Sequence, residues 1–543
     1  MTRFATPGVY VREQNAFGTS GRAVPTAIPA FIGYTAKAQK GTTSVLNTPT
    51  KIESLSDFEK IFGGAPSTTF SLKSKDDAGF SVSIDKGSQF YLYNSMRLFY
   101  ANGGGNCYVV SVGDYSGPAK ADDLLGEKTD GGLKALLLEQ EPTMVVIPDA
   151  LLLEASECYA VYRAVLKHCG WETKSRFGIF DVHNGYQART FDNKDVINNF
   201  REAVGENFLS FGAAYYPWLE TSIVTKDEIS FKQISNPNEL VKLLTREAEM
   251  RYPGGSASGA PKAAAGAKKE GDAAAPPAPA AGKVDEKNQK KYADAKAEID
   301  KLKDTGAKAS TLDQNLKAIS PMYRSVLDSM RTELNRLPAA GVMAGLYSLV
   351  DNLTGVHKAP ANVKVDAAVA PAVAISSENQ EDLNMPINGK AVNAIRSFIG
   401  RGVVVWGART LDGNSQDWRY INVRRTMIML EQSVKNLMER YVFEPNTSQT
   451  WIKIRTSLVN FLTLMWKQGT LVGSSPTQAF DVALGLGSTM SSEDVMEGIM
   501  RISVRVAISR PAEFIEITFE QKMQEGGGAE GGAEAPAEGG EGE

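Results

Sequence analysis

The chain has 543 residues, of which 42% are hydrophobic and 8% aromatic. That is enough apolar material to build substantial cores, which excludes a wholly disordered chain; at ~150 residues per domain the length corresponds to three or four domains. The net charge of −4 argues against a nucleic-acid binder, which carries a basic excess. No run reaches the ~18–20 apolar residues of a membrane helix, so no direct membrane insertion is expected.

At the start, MTRFATPGVYVREQN lacks the apolar centre of a secretory signal, and synthesis in the cytoplasm is expected. Val9 and Val11 alternate with Tyr10 and Arg12, the period of a short strand. A Gly/Ser/Thr/Pro stretch runs on to Pro29, followed by apolar Ala30–Thr35, so the first strand sits on a leash ahead of the first compact unit. Leu55–Phe62 reads as a helix capped by Ser54 or Ser56, and Phe90–Tyr100 as a second helix ending at Asn102-Gly103-Gly104-Gly105. Cys107–Val112, Met144–Ile147, Phe177–Val182 and Phe211–Trp218 are strand-like runs, with Cys158–His168 helical between them. Strands alternating with helices predict a mixed α/β layer sandwich.

Composition then shifts. Pro253–Gly282 is low-complexity Ala/Gly/Pro/Lys that cannot bury enough to offset its ordering entropy, and Val284–Leu337 is charged with helical potential. Order returns at Ala339; Asn393–Phe398 is read as the beginning of a helix and Gly402–Trp406 as a buried strand. Two amphipathic helices follow: one has Ile421, Ile428, Val434, Met438 and Tyr441 on one face, the other Trp451, Ile454, Leu458, Phe461, Leu462 and Met465. Ser491–Asp494 resembles a capping box opening a helix to about Met500. Ile502, Val504, Val506 and Ile508 alternate with polar residues, and after Arg510-Pro511 so do Ile515, Ile517 and Phe519, giving two half-buried strands. From Glu525 onward the chain is an acidic Gly/Ala/Glu tail.

No catalytic constellation emerges. The glycines at 103–105 lack the GxxxxGK[ST] pattern and follow a helix rather than a strand, the reverse of a phosphate loop. There is no GxSxG elbow for a nucleophilic serine. Cys107, Cys158 and Cys169 are an odd, scattered set that suits a reducing compartment. His168 beside Cys169 suggests a metal pair, but no second CxxC or HxxxH supports it; His183 and His357 are isolated. No enzyme activity, metal or cofactor is expected. What stands out are strands at both extreme ends. An end strand with unpaired N–H and C=O groups needs a sheet to join, its own or a neighbour's. Two such ends per subunit in a head-to-tail, non-closing contact generate a helical polymer.

Gly355–Asn362, Leu383–Leu411 (containing VWGART), Trp418–Arg425 (WRYINVRR), Val442–Arg455, Phe461–Gly473 and Arg510–Gln521, with PGVYVRE, VPTAIPAFIGYT, FYANGGGNCYVVSV and AAYYPWL upstream, form an ordered set of segments. In these segments the sequence resembles the contractile tail sheath proteins of phages, pyocins and phage-like contractile injection systems. Three segments depart from the family pattern: Pro253–Leu337 with the RLPAAGVMAGLYS stretch that follows it, the acidic tail after Gln524, and TQAFDVALGLGSTMSSEDVMEG.

The resemblance implies a multidomain sheath-protein fold, with an inner domain built from both chain ends and outer insertions nested within it. The segments would be a linking strand and leash at 1–29, an α/β middle domain at 30–252, an outer insertion at 253–338, a return at 339–384, the inner domain at 385–524 and an acidic tail at 525–543. It implies a homo-oligomeric sheath around an inner tube protein, bounded by baseplate and terminal cap proteins and open to sheath paralogues. Carried onto this chain, the linking strands are Val9, Tyr10, Val11, Arg12 and Phe514, Ile515, Glu516, Ile517, Thr518, Phe519. The receiving strand carries Ile502, Val504, Val506 and Ile508, with Gly18–Pro29 as hinge. Glu493, Asp494 and Glu497 are the candidate tube contact, their alternative role being to stabilise a helix dipole. The insert and tail favour an extracellular injection particle over a phage virion. A β-augmenting surface-layer protein is the alternative from another class, and it requires a secretion signal.

Overall fold

The computed structural model describes residues 23–75, 79–253, 286–303 and 309–514. The expected strand at Val9–Arg12, most of the low-complexity stretch, Ile515–Phe519 and the acidic tail lie outside the described residues. The chain through Arg510 is one compact unit; Pro511 begins a second, of which Pro511–Phe514 are described, without regular structure and with Phe514 exposed.

A nine-stranded sheet organises the first unit, in the order 363–364, 402–405, 393–398, 212–216, 177–181, 144–146, 29–33, 107–111, 50–52. The strands from 107–111 across to 393–398 run parallel, and the strands at both margins are antiparallel. Pro29–Gly33, Cys107–Ser111, Phe177–Asp181 and Gly212–Tyr216 are buried at every position, as a sheet covered on both faces requires. Asn393–Phe398 is a strand, not the helix expected from sequence. Six residues are too few for periodicity to decide, and pairing with Tyr215–Tyr216 on one side and Gly402–Val405 on the other completes its backbone bonds.

Helices Leu92–Ala101 and Ala340–Leu353 cross closely over this sheet. A Cβ on Gly341 would lie 2.8 Å from the Ser95 carbonyl oxygen, and one on Gly345 2.6 Å from that of Phe99, so glycine is what lets the two backbones touch. Both helix starts are capped by buried aspartates, one ending the strand Phe177–Asp181 and one in the turn that follows Met144–Val146. The buried Asp149 carboxylate accepts from Tyr91 N–H (2.6 Å), Leu92 N–H (3.2 Å) and Tyr34 N–H (2.8 Å), and buried Asp181 accepts from Ala339 N–H (2.7 Å) and Ala340 N–H (3.0 Å).

A second core joins segments far apart in sequence. The hairpin Phe70–Ser74/Phe80–Ile84, helix Pro237–Arg251 and helices Glu286–Asp300, Ala309–Ile319 and Pro321–Asn335 bury Phe70, Leu240, Tyr292, Leu316, Tyr323 and Met330 together. The third core is C-terminal: helices Ile421–Met438 and Ser448–Lys467 bury Met429, Leu430, Leu437, Leu458, Phe461 and Leu462 against the two-stranded sheet Phe480–Ala483/Ser503–Val506. Ala23 and Val24, from the other end of the described chain, pack on this core.

Candidate functional site

The antiparallel pair Phe480–Ala483/Ser503–Val506 is small, and its register decides which backbone groups remain free. Val482 sits opposite Val504 and Asp481 opposite Arg505, and Ala507 N–H donates to Ala479 C=O at 2.9 Å. Since alternate residues of a strand present their polar groups to opposite sides, Ser503, Arg505 and Ala507 face the partner strand, whereas Val504, Val506 and Ile508 turn theirs outward. On the inward side the ladder continues: Val472 N–H donates to Ala507 C=O (2.8 Å) and Ser509 N–H to Thr470 C=O (3.2 Å). Among the described residues, nothing accepts from the N–H groups of Val504, Val506 or Ile508. Their side chains, with that of Ile502, are half-buried on the third core, which holds the open edge in place.

The Ser492–Met496 helix beside this pair is shorter than its sequence suggests. Its capping box is present: Asp494 N–H donates to Ser491 Oγ (3.2 Å) and Ser491 N–H to Asp494 Oδ2 (3.0 Å). Asp494 also receives Arg501 Nη2 at 3.0 Å, and these contacts hold its carboxyl below the usual range. Asp494 is therefore engaged within its own chain. Glu493 and Glu497 are exposed and form no ion pair among the described residues.

The N-terminal leash is held where it meets the body. Val24 N–H donates to Ser433 Oγ (3.0 Å); Thr26 C=O accepts from Thr143 Oγ1 (2.6 Å) and from Arg425 Nη2 (3.0 Å); Ile28 N–H donates to Thr143 Oγ1 (3.1 Å). Residues 24–28 thus form a strap across the cleft, about 1060 Å³, between the sheet and helix Ile421–Met438. The two arginines of the WRYINVRR motif hold the same junction. Arg425 makes a two-pronged ion pair with Asp351 (2.6 and 2.9 Å), both side chains at most 4% exposed, and stacks on Tyr347. Arg424 lies over Trp418 (3.6 Å) and Phe211 (4.4 Å) and donates to Ser210 Oγ; burial pulls its pKa down to about 10. The motif marks these residues in the sequence, but nothing local identifies their partners.

Alternative chemistries find little support. Cys107, Cys158 and Cys169 are free and buried, and desolvation pushes each thiol up to about 12, away from thiolate reactivity. The His168 ring faces Arg176 Nη1 at 2.6 Å, and burial with that guanidinium lowers its pKa to about 4. No cluster of three His, Cys, Asp or Glu side chains suits a metal among the described residues. The turn at 102–105 closes on its own helix, with Asn102 Nδ2 donating to Leu98 C=O (2.8 Å). No helix among the described residues is long and apolar enough to cross a membrane.

Residues 414–522 match the phage tail sheath C-terminal domain, and the sequence expectation of a contractile-sheath relative is met. No curated protein matches the chain. Among solved structures, the chain is similar to a protein of the anti-feeding prophage helical sheath in its contracted state. The identity is 25% over 96% of this chain and all of that one, with a TM-score of 0.56. A chain of the anti-feeding prophage baseplate matches with the same identity and coverage and a TM-score of 0.55. The contracted PVC sheath complex, from an extracellular contractile injection system, shares the fold at 24% identity over 96% of this chain and 99% of that one, with a TM-score of 0.54.

Proposed function

We propose that this chain, with its sheath C-terminal domain, is the structural subunit of a contractile sheath in an extracellular contractile injection system. It polymerises helically around an inner tube and contracts to drive that tube through a target envelope. The observation that carries this reading is the likeness, across nearly the whole chain, to a contractile helical sheath protein. The phage-virion and surface-layer alternatives have no comparable support.

The linking mechanism follows from the open edge. In this reading Val9–Arg12 of one neighbour or Phe514–Phe519 of another adds a strand beside Val504, Val506 and Ile508. Backbone ladders suit a moving lattice because their bonds are indifferent to side-chain identity, each contributing ~0.5–1.5 kcal/mol. The strap at residues 24–28 is held by the body, which removes that part of Gly18–Pro29 from the hinge role. Glu493 and Glu497 are offered to the tube, while Asp494 stabilises their helix. Baseplate and cap proteins, with any sheath paralogues, complete the particle. Contraction is a two-state change driven by differential burial and charge pairing between lattices, with no nucleotide consumed by the sheath.

Electron microscopy of the chain expressed with its tube protein tests the reading: sheathed tubes of regular helical repeat are expected. Deleting residues 1–15 should leave a folded monomer that builds no sheath. Long, normal sheaths from that deletion would refute the linking-strand role.

A further inference from the structure

The nine-stranded sheet carries contrasting exposed surfaces at its two margins. Near one margin, the 393–398/402–405 hairpin turns at Ile399, a side chain left fully in solvent (105% exposed). Beside it Phe398 and Trp406 stack 4.8 Å apart, with Arg401 5.7 and 5.8 Å from their ring centres and Arg396 5.6 Å from Phe398. Arg396 donates to Gln380 Oε1 (2.7 Å) and Arg401 to Asn362 Oδ1, but neither meets a carboxylate among the described residues. Aromatic rings stacked with arginine are the side chains that dominate protein–protein contacts, and Ile399 extends their apolar surface out to the hairpin tip.

The other margin offers the complement. Glu141 binds Lys51 Nζ (2.6 Å) and Tyr108 OH (2.9 Å), which places the preceding segment beside the edge strand Thr50–Ile52. That segment exposes Leu138 (93%) and Leu137 (45%), followed by Glu139, which forms no ion pair among the described residues. One margin is thus apolar with unpaired positive charge, and the opposite one apolar with unpaired negative charge.

We propose that these two surfaces dock on each other between successive copies of this chain, Ile399 and its aromatic–arginine stack seating against Leu137, Leu138 and Glu139 of a second copy. Surfaces that differ and lie at opposite ends of one sheet make a heterologous contact. Such a contact propagates as an open polymer when its rotation does not close. The inference rests on the sheath reading, since it needs a lattice of identical subunits, and it adds a body-to-body contact separate from the strand exchange at the C-terminal domain.

Cysteine pairing tests it directly, because the three native cysteines are buried and give little background. Full-length double variant Ile399→Cys/Leu138→Cys, assembled on its tube and mildly oxidised, should give a ladder of covalent multimers, and each single variant none. Ile399→Asp should lower polymer yield at least about tenfold, the loss expected from one buried isoleucine, while leaving monomer thermal unfolding unchanged. Normal sheaths from the double variant without a ladder would overturn the contact and leave the sheath reading intact. Dimers from Ile399→Cys alone would replace it with a two-fold contact. If the wild-type chain with its tube forms no helical polymer, both readings fall.

Discussion

Removing the carboxylate of Asp351 leaves the Arg425 guanidinium charged and buried, with the Thr26 carbonyl and the Tyr347 ring as its remaining partners. Both side chains of the pair are almost wholly withdrawn from water. Breaking one side of such a pair costs ~3–5 kcal/mol, whereas replacing both by apolar groups of similar volume is close to neutral. Asp351→Ala should therefore raise local opening of helix Ile421–Met438 by roughly two to four orders of magnitude. Asp351→Leu combined with Arg425→Met should return to within about tenfold of wild type. Native-state hydrogen exchange on the unassembled monomer, followed in peptides from that helix and from residues 23–28, reads this locally. That matters because a chain with three cores need not unfold in one step. The reasoning fails if Asp351→Ala changes protection less than tenfold, or if the double variant loses as much as the single.

Other expectations can be checked alongside. Gly345→Val should lower stability by ~1–3 kcal/mol through overpacking against Phe99, seen as a drop in melting temperature; an unchanged melt would mean the two helices separate at little cost. Burial raises the carboxyl of Asp181 to about 7 and that of Asp149 to about 6, so between the ordinary aspartate range and those values the folded state holds more protons than the unfolded. Their contribution is complete in acid and lost as pH rises through about 6–7. Asp181→Asn, which keeps an acceptor for Ala339 and Ala340, should gain on wild type from pH 5 to pH 8 in urea titrations; a constant difference would contradict the shift. Val506→Pro removes an outward-facing N–H and should abolish sheath assembly with little change in monomer stability. Deleting residues 254–283 should leave assembly intact by electron microscopy, as a low-complexity Ala/Gly/Pro/Lys sequence has too little apolar surface to contribute to a core.

Much of the fold was written locally. Runs such as Cys-Tyr-Val-Val-Ser at 107–111 and Phe-Gly-Ile-Phe-Asp at 177–181 can do little but enter a covered sheet, and both do. Ser54 and Ser491 announce helix starts because a cap bonds within three residues of itself. The second C-terminal helix was equally legible, Ile454, Leu458, Phe461, Leu462 and Met465 of its stripe forming the third core; in the first, Met429, Leu430 and Leu437 enter that core while Ile421 joins the sheet core, so its stripe was misplaced. Composition marked Pro253–Gly282 as a change of character, and the VWGART and WRYINVRR strings carried the resemblance to sheath proteins.

Tertiary structure decided what depends on partners distant in sequence. Asn393–Phe398 becomes a strand because Tyr215 and Tyr216 lie beside it, nearly 180 residues earlier. The alternation of Val504, Val506 and Ile508 predicts a strand, but which side keeps its hydrogen bonds free is set by register against Phe480–Ala483. Asp351 and Arg425, 74 positions apart, meet only when two helices pack. Local propensity and period act over a few residues and were readable from order alone. Register, ion pairing and exposed edges arise from contacts between distant segments, which only the folded chain brings together.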